Sequence, residues 1–187
     1  SVQKLIASLF LLRKMEDKLG RGNVPAIHAA LDTPVYLWMP IKIQQATPNI
    51  NKQITFRDLL THKSGLRTEH ASGNPFIDFM APINQADHGV REYENTNIKL
   101  LTYVTVAYGA PQVLADVNNS IAQFNWSASS SAIPQSIGTH YWGMVQHQML
   151  DEGPLDVFAS CWLGEHIVGL RDAPFARMYW SKNDALS

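Results

Sequence analysis

Residues Val2 to Leu19 carry the longest helical pattern of apolar positions in the chain, and neither Gly nor Pro interrupts it. The apolar side chains recur at three- and four-residue spacings, and further ones fill the opposite side; they are Val2, Leu5, Ile6, Leu9, Leu12 and Met15, with Ala7, Phe10 and Leu11. A helix that is apolar on nearly all sides is typically a buried one. The pattern therefore predicts a central helix that ends at Gly20 and Gly22, with only its charged last turns, from Arg13 to Lys18, facing solvent.

A second, shorter helix is predicted within the stretch ITFRDLLTHKSGL, from Ile54 to Leu66. Thr55 is suited to cap its N-terminus, and Asp58 stands three residues later, where it can complete a capping box. Gly65 suits the left-handed position that follows the last turn of many helices. The segment is thus predicted to be a short helix with a defined start and stop.

Elsewhere the pattern is weaker, and the chain is predicted to be mainly α with long loops. Residues 23–53 predict loops and turns, and the loop region 71–90 includes one possible helical turn, Phe76 to Met80. Apolar residues at helical spacing predict a helix from Ile98 to Tyr108. The stretch from Asn118 to Pro134 is rich in Ser and Asn and predicts an exposed loop, with glycosylation-type triplets at Asn118 and Asn125.

The C-terminal third predicts one more helix, from Ile137 to Leu150, and one strand, from Phe175 to Trp180. The strand content is therefore low throughout. We find no internal repeat and no heptad pattern.

Composition limits the classes of protein to which the chain can belong. Its 187 residues suffice for a single domain over 1–187, and 45% hydrophobic with 17% charged residues is typical of a globular protein. A net charge of −1 gives no reason to expect a nucleic-acid partner. The longest apolar run, Leu5 to Leu12, is too short to span a bilayer. The single cysteine, Cys161, excludes an internal disulfide.

The first four residues, SVQK, contain a candidate nucleophile and its activating base. Ser1 and Lys4 are three residues apart, so on a helix they face the same side one turn from each other. A lysine amine is a poor base at its ordinary pKa of about 10.4, and burial, a helix N-terminus or a second cation would each lower that pKa. The product is a serine activated for acyl transfer. The alternative is a helix cap followed by a surface lysine.

A second candidate pair is Tyr93 and Asn95, in the stretch YENTN just before the predicted helix. Both side chains can point into one cleft from a turn. A phenol next to a lysine ammonium can share its proton and act as a base. The alternative is structural: Asn95, Thr96 and Asn97 are all good N-cap residues, and Tyr93 can be a wall residue.

The order SVQK, a long apolar helix, ITFRDLLTHKSGL and then YENTNIKLL resembles the β-lactamase-like and penicillin-binding-protein-like serine hydrolases. The resemblance is to the branch of class C β-lactamases, D-alanyl-D-alanine peptidases and class VIII esterases, and it covers about residues 1–108. It implies a nucleophile at Ser1, its lysine partner at Lys4, and the Tyr-x-Asn pair at Tyr93 and Asn95. The implied substrate is a small-molecule ester, amide or β-lactam.

The chain departs from the family pattern after residue 108. The family's third motif, Lys-Thr-Gly or His-x-Gly on a strand, is not found in the expected place. Lys63-Ser64-Gly65 matches in letters but precedes Tyr93, so we reject it, and Trp162-Leu163-Gly164 follows Asn95 too soon. The strands that form the family's sheet are also missing. The fold expected is therefore the helical part of the α/β β-lactamase/transpeptidase-like fold, without most of its antiparallel sheet.

The sequence predicts no cofactor and no metal site. His140 and His147 are seven residues apart, two helical turns, which is too far for easy joint ligation. His62 lies in the second predicted helix and is expected to be structural. No paired cysteines and no His-Glu-x-x-His occur.

Three functional hypotheses remain open from sequence. The first is a serine hydrolase with an acyl-enzyme on Ser1. The second is an N-terminal-nucleophile hydrolase in which the α-amine of Ser1 is the base, although such enzymes usually begin on a strand. The third is a truncated, non-catalytic relative that binds a partner or a ligand. An apolar face left exposed where a missing segment or second chain would complete the sheet favours the third.

Overall fold

The computed structural model describes residues 2–67 and 75–122, and within them all side chains except those of residues 2–4, 6 and 120–122. This part of the chain is helical. Seven α-helices follow one another: α1 (Val2–Leu19), α2 (Val24–Leu31), α3 (Ile41–Ala46), α4 (Phe56–Thr61), α5 (Pro75–Met80), α6 (Asn95–Gly109) and α7 (Pro111–Ala122). Two short 3₁₀ helices, Val35–Trp38 and Asn51–Gln53, connect them.

The β-type pairing found in the described residues is one isolated antiparallel bridge, between Pro34 and Thr55. The residues on either side of Pro34 and Thr55 form two backbone hydrogen bonds, from Val35 N to Ile54 O at 2.9 Å and from Phe56 N to Thr33 O at 3.4 Å. The mainly α prediction is confirmed for this part of the chain. The predicted helix from Ile137 to Leu150 and the predicted strand from Phe175 to Trp180 lie outside the described residues.

The central helix is α6. Nearly all of its side chains are buried, and it packs against α1, α4, α5 and α7. Its sequence explains this position, because small and apolar residues occur on every side of the helix and leave few groups that require water.

The prediction that α1 would be the central helix is wrong. Its bounds agree with the prediction, and Gly20 takes the left-handed conformation that ends it, with φ 95°. Only one face is buried, however: Leu5 is 60% and Leu9 45% exposed within the described structure. The solvated last turns are also only partly as predicted, because Lys14 is 5% exposed and its ammonium lies 5.5 Å from the centre of the Phe10 ring.

The helix α4 has the predicted N-terminus and a different C-terminus. The Thr55 hydroxyl accepts from the Asp58 N–H at 3.2 Å, while the Asp58 carboxylate accepts from the Thr55 N–H at 2.9 Å, which is a complete capping box. The left-handed residue that ends the helix is His62, with φ 57° and ψ 43°. Gly65 is also left-handed, with φ 76°, but it serves the following turn, where a Cβ would lie 3.1 Å from the backbone N of His88.

Three helices lie where loops or no element were predicted. Helices α2 and α3 lie in the region 23–53, and α7 includes the first five residues of the stretch predicted to be a loop from Asn118 to Pro134. Asn118 is therefore helical, and its side-chain oxygen accepts from the backbone N–H of Ile41 at 2.9 Å. This contact joins α7 to the start of α3. The triplet at Asn125 lies outside the described residues.

None of the helices in the part of the chain that the structure describes is both long and apolar enough to cross a bilayer.

Candidate active site

Tyr93 and Asn95 lie at the N-terminus of α6. Asn95 is its first residue, and the N-cap is Glu94, which has extended backbone and makes no side-chain capping bond. The Tyr93 hydroxyl donates to the Asn95 side-chain oxygen at 3.3 Å, and 61% of the Tyr93 side chain is exposed. The structure therefore brings the two residues together at the surface.

The structural alternative that Asn95, Thr96 or Asn97 caps the helix is wrong, because the N-cap is Glu94. Tyr93 is exposed and outside the core. Thr96 and Asn97 instead bond to distant elements. The Thr96 hydroxyl donates to the Asp78 carboxylate of α5 at 2.9 Å, and the Ser64 hydroxyl donates to the Asn97 side-chain oxygen at 2.5 Å.

Ser64 is fully buried beneath this end of α6. Its oxygen also accepts from the backbone N–H of Leu66 at 3.0 Å. The triplet Lys63-Ser64-Gly65 thus follows α4 as a braced turn and not as a strand, in agreement with its rejection as a third motif.

The chain just before α6 is held against the end of α4 by backbone bonds. The N–H of Glu92 donates to the carbonyl oxygen of His62 at 2.9 Å, and the N–H of Gly89 donates to that of Lys63 at 2.8 Å. The guanidinium of Arg67 adds ion pairs to Asp87 at 3.0 Å and to Glu92 at 3.3 Å. These contacts fix the approach of the chain to Tyr93.

His62 also contacts the Tyr-x-Asn stretch through its ring. The ring nitrogen Nδ1 lies 3.2 Å from the Glu94 N–H donor and 3.4 Å from Asn97 Nδ2. The imidazole stacks on the Tyr93 ring, with 4.9 Å between ring centres and 28° between planes. The sequence indicated only a structural residue here, and the left-handed backbone that points the ring at Tyr93 had no separate signal.

The structure describes less of the first motif, Ser1 and Lys4, than of the second. The backbone of Lys4 lies in the first turn of α1, its side chain is among those not described, and Ser1 lies outside the described residues. Helical backbone from Val2 onward differs from the strand start that the N-terminal-nucleophile hypothesis expects.

The packing of α1 on α6 shows which ends of the two helices meet. In their last turns, the Lys18 ammonium donates to the backbone carbonyl oxygen of Tyr108. The two helices also pack more extensively than any other pair of described elements. The last turns of α1 and α6 are therefore in contact.

Lys4 and Asn95 lie at similar distances along their own helices from this contact. Lys4 precedes Lys18 by fourteen residues, about 21 Å of helix, and Asn95 precedes Tyr108 by thirteen, about 20 Å. Each of the two residues lies in the first turn of its helix.

Among the described residues, no group of three His, Cys, Asp or Glu side chains is arranged to hold a metal ion. The site residues placed here supply an amide, a phenol and an imidazole, and the backbone of Lys4 lies in the first turn of α1. Such groups transfer protons and donate hydrogen bonds.

The family model described as Beta-lactamase matches residues 1–117, which is more than half of the chain, and the chain belongs to that family. The match extends nine residues beyond the resemblance seen in the sequence and reaches into α7. The described residues are the helical part of the β-lactamase fold. Comparisons with curated proteins and with solved structures each gave no match.

Proposed function

We propose that this member of the β-lactamase family is a serine hydrolase that forms an acyl-enzyme on Ser1. Lys4 activates the serine, Tyr93 exchanges a proton with the lysine, and Asn95 orients the lysine and the substrate carbonyl. The substrate is an ester, a β-lactam or a small amide. Residues 1–187 form one domain in this proposal.

The observation that supports the proposal is the pairing of Tyr93 and Asn95 at the start of α6, where Tyr93 is exposed and hydrogen-bonded to Asn95. Lys4 lies in the first turn of α1, and α1 packs on α6. A nucleophile three residues before Lys4 lies one helical turn away from it.

The reaction has two steps, acylation of Ser1 and hydrolysis of the acyl-enzyme, and each step requires two proton transfers. Ser1 Oγ attacks the carbonyl carbon and gives its proton to the Lys4–Tyr93 pair. The tetrahedral oxyanion then collapses and expels the alcohol or amine, which takes up that proton, and an ester bond to Ser1 remains. Water attacks this ester, loses a proton to the same pair and releases the acid, while Ser1 Oγ regains its hydrogen.

Intact-mass measurement tests the proposal. The chain is exposed to a fluorophosphonate and, separately, to a penicillin, and the adduct is located by peptide mapping. We expect one adduct, on Ser1, that is absent in Ser1→Ala and forms at least roughly 100-fold more slowly in Lys4→Ala, because the general base is lost. Lys42→Ala, a matched lysine change on α3, should react like the unmodified chain. Far-UV circular dichroism verifies that each variant is folded.

A non-catalytic binding module is the second candidate, and one observation favours it. Leu5 and Leu9 are four residues apart on one face of α1, and both are largely exposed within the described structure. The sequence also lacks the third motif that supplies the family's second oxyanion donor. No adduct from a chain shown to be folded would favour this candidate over the hydrolase.

A further inference from the structure

The backbone of His62 has an unusual conformation. In the described part of the chain it is the one residue other than glycine with positive φ. Left-handed backbone is uncommon for residues with a Cβ and is maintained only where the surrounding structure enforces it. Here it ends α4 and leaves the His62 carbonyl oxygen accepting from the Glu92 N–H at 2.9 Å.

The ring of His62 is oriented by the residues on both sides of Asn95. Nδ1 receives the backbone N–H of Glu94 at 3.2 Å, and the amide nitrogen of Asn97 is 3.4 Å from the same atom. A backbone N–H can only donate, so Nδ1 must be the acceptor. This hydrogen bond favours the tautomer that has its hydrogen on Nε2.

The same ring restrains Tyr93. With 61% of its side chain exposed, Tyr93 gains little positional restraint from burial. The stacked imidazole, 4.9 Å away between ring centres, supplies such a restraint. One side chain thus contacts Tyr93 by stacking and Glu94 by a hydrogen bond, immediately before Asn95.

We propose that His62 is the positioning residue for Tyr93 and Asn95. It holds the phenol by stacking and the start of α6 through Nδ1. The catalytic consequence of this inference rests on the proposed function, in which Tyr93 exchanges a proton with Lys4 and Asn95 orients the lysine. The contact itself is testable without any reaction.

Three substitutions separate the contributions of the ring and of its acceptor nitrogen. His62→Gly removes both and keeps a residue that readily adopts positive φ, so it should preserve the fold. His62→Asn keeps an acceptor near the position of Nδ1 and tolerates the left-handed backbone, but has no ring. His62→Phe keeps a ring to stack on Tyr93 and has no acceptor. His28→Ala on α2 is the matched control for loss of a histidine.

NMR of the full chain gives the readout that does not depend on reaction. The ring resonances of Tyr93, assigned with Tyr93→Phe, and the amide resonance of Glu94 are followed in each variant. Both resonances should shift in His62→Gly. In His62→Phe the Glu94 amide resonance should shift more than the Tyr93 ring resonances, because the acceptor is lost. In His62→Asn the Tyr93 ring resonances should shift more than the Glu94 amide resonance, because the ring is lost. The imidazole nitrogen shifts of the unmodified chain should indicate hydrogen on Nε2. His28→Ala should leave all of these unchanged.

Acylation by the fluorophosphonate gives the second readout. We expect the rate at saturating reagent to fall by roughly 10- to 100-fold in His62→Gly, because a small displacement of a catalytic group costs about that much. The half-saturating concentration should be unchanged, because the role proposed for His62 is to position Tyr93 and Asn95 and not to bind the reagent. His62→Asn and His62→Phe should each recover part of the rate.

Two results would overturn the inference: Tyr93 and Glu94 resonances that stay unchanged in folded His62→Gly, or a variant whose resonances shift while its acylation rate equals that of the unmodified chain. If the unmodified chain forms no adduct, the proposed function fails and the resonances alone decide the positioning contact. If His62→Gly does not fold, His62→Asn decides in its place.

Discussion

The two ends of the α1–α6 pair each include a lysine of α1 and a tyrosine in or next to α6, and the two tyrosines have opposite surroundings. At the C-terminal end, called the closed end, α1 supplies Lys18 and α6 supplies Tyr108. At the N-terminal end, called the open end, α1 supplies Lys4, and Tyr93 precedes α6. The comparison shows how one helix pair can provide stability at one end and present exposed polar groups at the other.

At the closed end the tyrosine is buried among aromatic rings, and the ammonium of the exposed Lys18 lies against two of them. The Lys18 ammonium lies 4.4 Å from the centre of the Tyr108 ring and 5.5 Å from that of Trp38. Tyr108 is 7% exposed and meets Trp38 and Phe56 edge to face, at 5.0 and 5.7 Å between ring centres. Burial raises the pKa of Tyr108 and lowers the pKa of Lys18. Both groups are thus used for packing.

At the open end the tyrosine is mostly exposed and the support lies beneath it. The buried bonds of Ser64 with Asn97 and of Asp78 with Thr96 hold the start of α6, while Tyr93 and Asn95 remain accessible. The two tyrosines therefore differ in exposure because of what surrounds them, and not because of the helices that carry them.

The largest expected effect is from truncation of an aromatic side chain at the closed end. Phe56 is fully buried, so Phe56→Ala should lower the free energy of unfolding by about 3–5 kcal/mol through lost burial and a residual cavity. Tyr93→Ala at the open end should change it by less than about 1 kcal/mol, as is usual for exposed positions. Urea denaturation measures both. Equal losses at the two ends would contradict the comparison.

A smaller effect is expected from the polar support of the open end. Ser64→Ala removes the hydroxyl that bonds Asn97 and Leu66 and leaves buried partners unsatisfied, which should cost about 1–3 kcal/mol. Thr61→Ala is the control, because the Thr61 hydroxyl donates to Arg57 O at 2.8 Å at an exposed position, and its loss should cost about 0.5 kcal/mol or less. Urea denaturation measures the free energy of unfolding of both variants. If Ser64→Ala were as stable as Thr61→Ala, the buried hydrogen bonds of Ser64 would not support the open end.

The smallest effect concerns the surface of the closed end. Arg57, next to Phe56, donates to Asp32 at 2.6 Å, and this hydrogen bond lowers the pKa of Asp32. A lowered carboxyl pKa contributes stability that is present above the ordinary aspartate pKa of about 3.9 and is lost as the pH falls through the folded-state value. Arg57→Gln should raise the Asp32 pKa towards its ordinary value, as followed by NMR, with little change in the urea midpoint near neutral pH.

Arg21→Gln is the matched control for the loss of an exposed guanidinium, and it should leave the Asp32 titration unchanged. If Arg57→Gln lowered the urea midpoint as much as Phe56→Ala, the closed end would depend on its ion pair and not on buried aromatic area.

The sequence by itself determined the elements whose signals are local. The bounds of α1, the capping box of Thr55 and Asp58, the helix after Tyr93 and the family were all read from spacing and short motifs. These signals depend on residues within one or two turns of each other, so they act before any tertiary contact forms. Short or polar helices were missed: α2 and α3 have eight and six residues, and α7 contains the Asn and Ser typical of loops.

Only the tertiary structure decided the positions that depend on distant partners. Lys14 is buried and Leu5 exposed because packing on α6 selects one face of α1, although its sequence is apolar on most sides. Asn97 does not cap α6, since Ser64, thirty-three residues earlier, bonds its side chain. His62 faces Tyr93 because a left-handed turn brings residues thirty-one apart into contact. Hydrogen bonds and ring contacts between such residues have no period in the sequence, so only the folded chain brings them together.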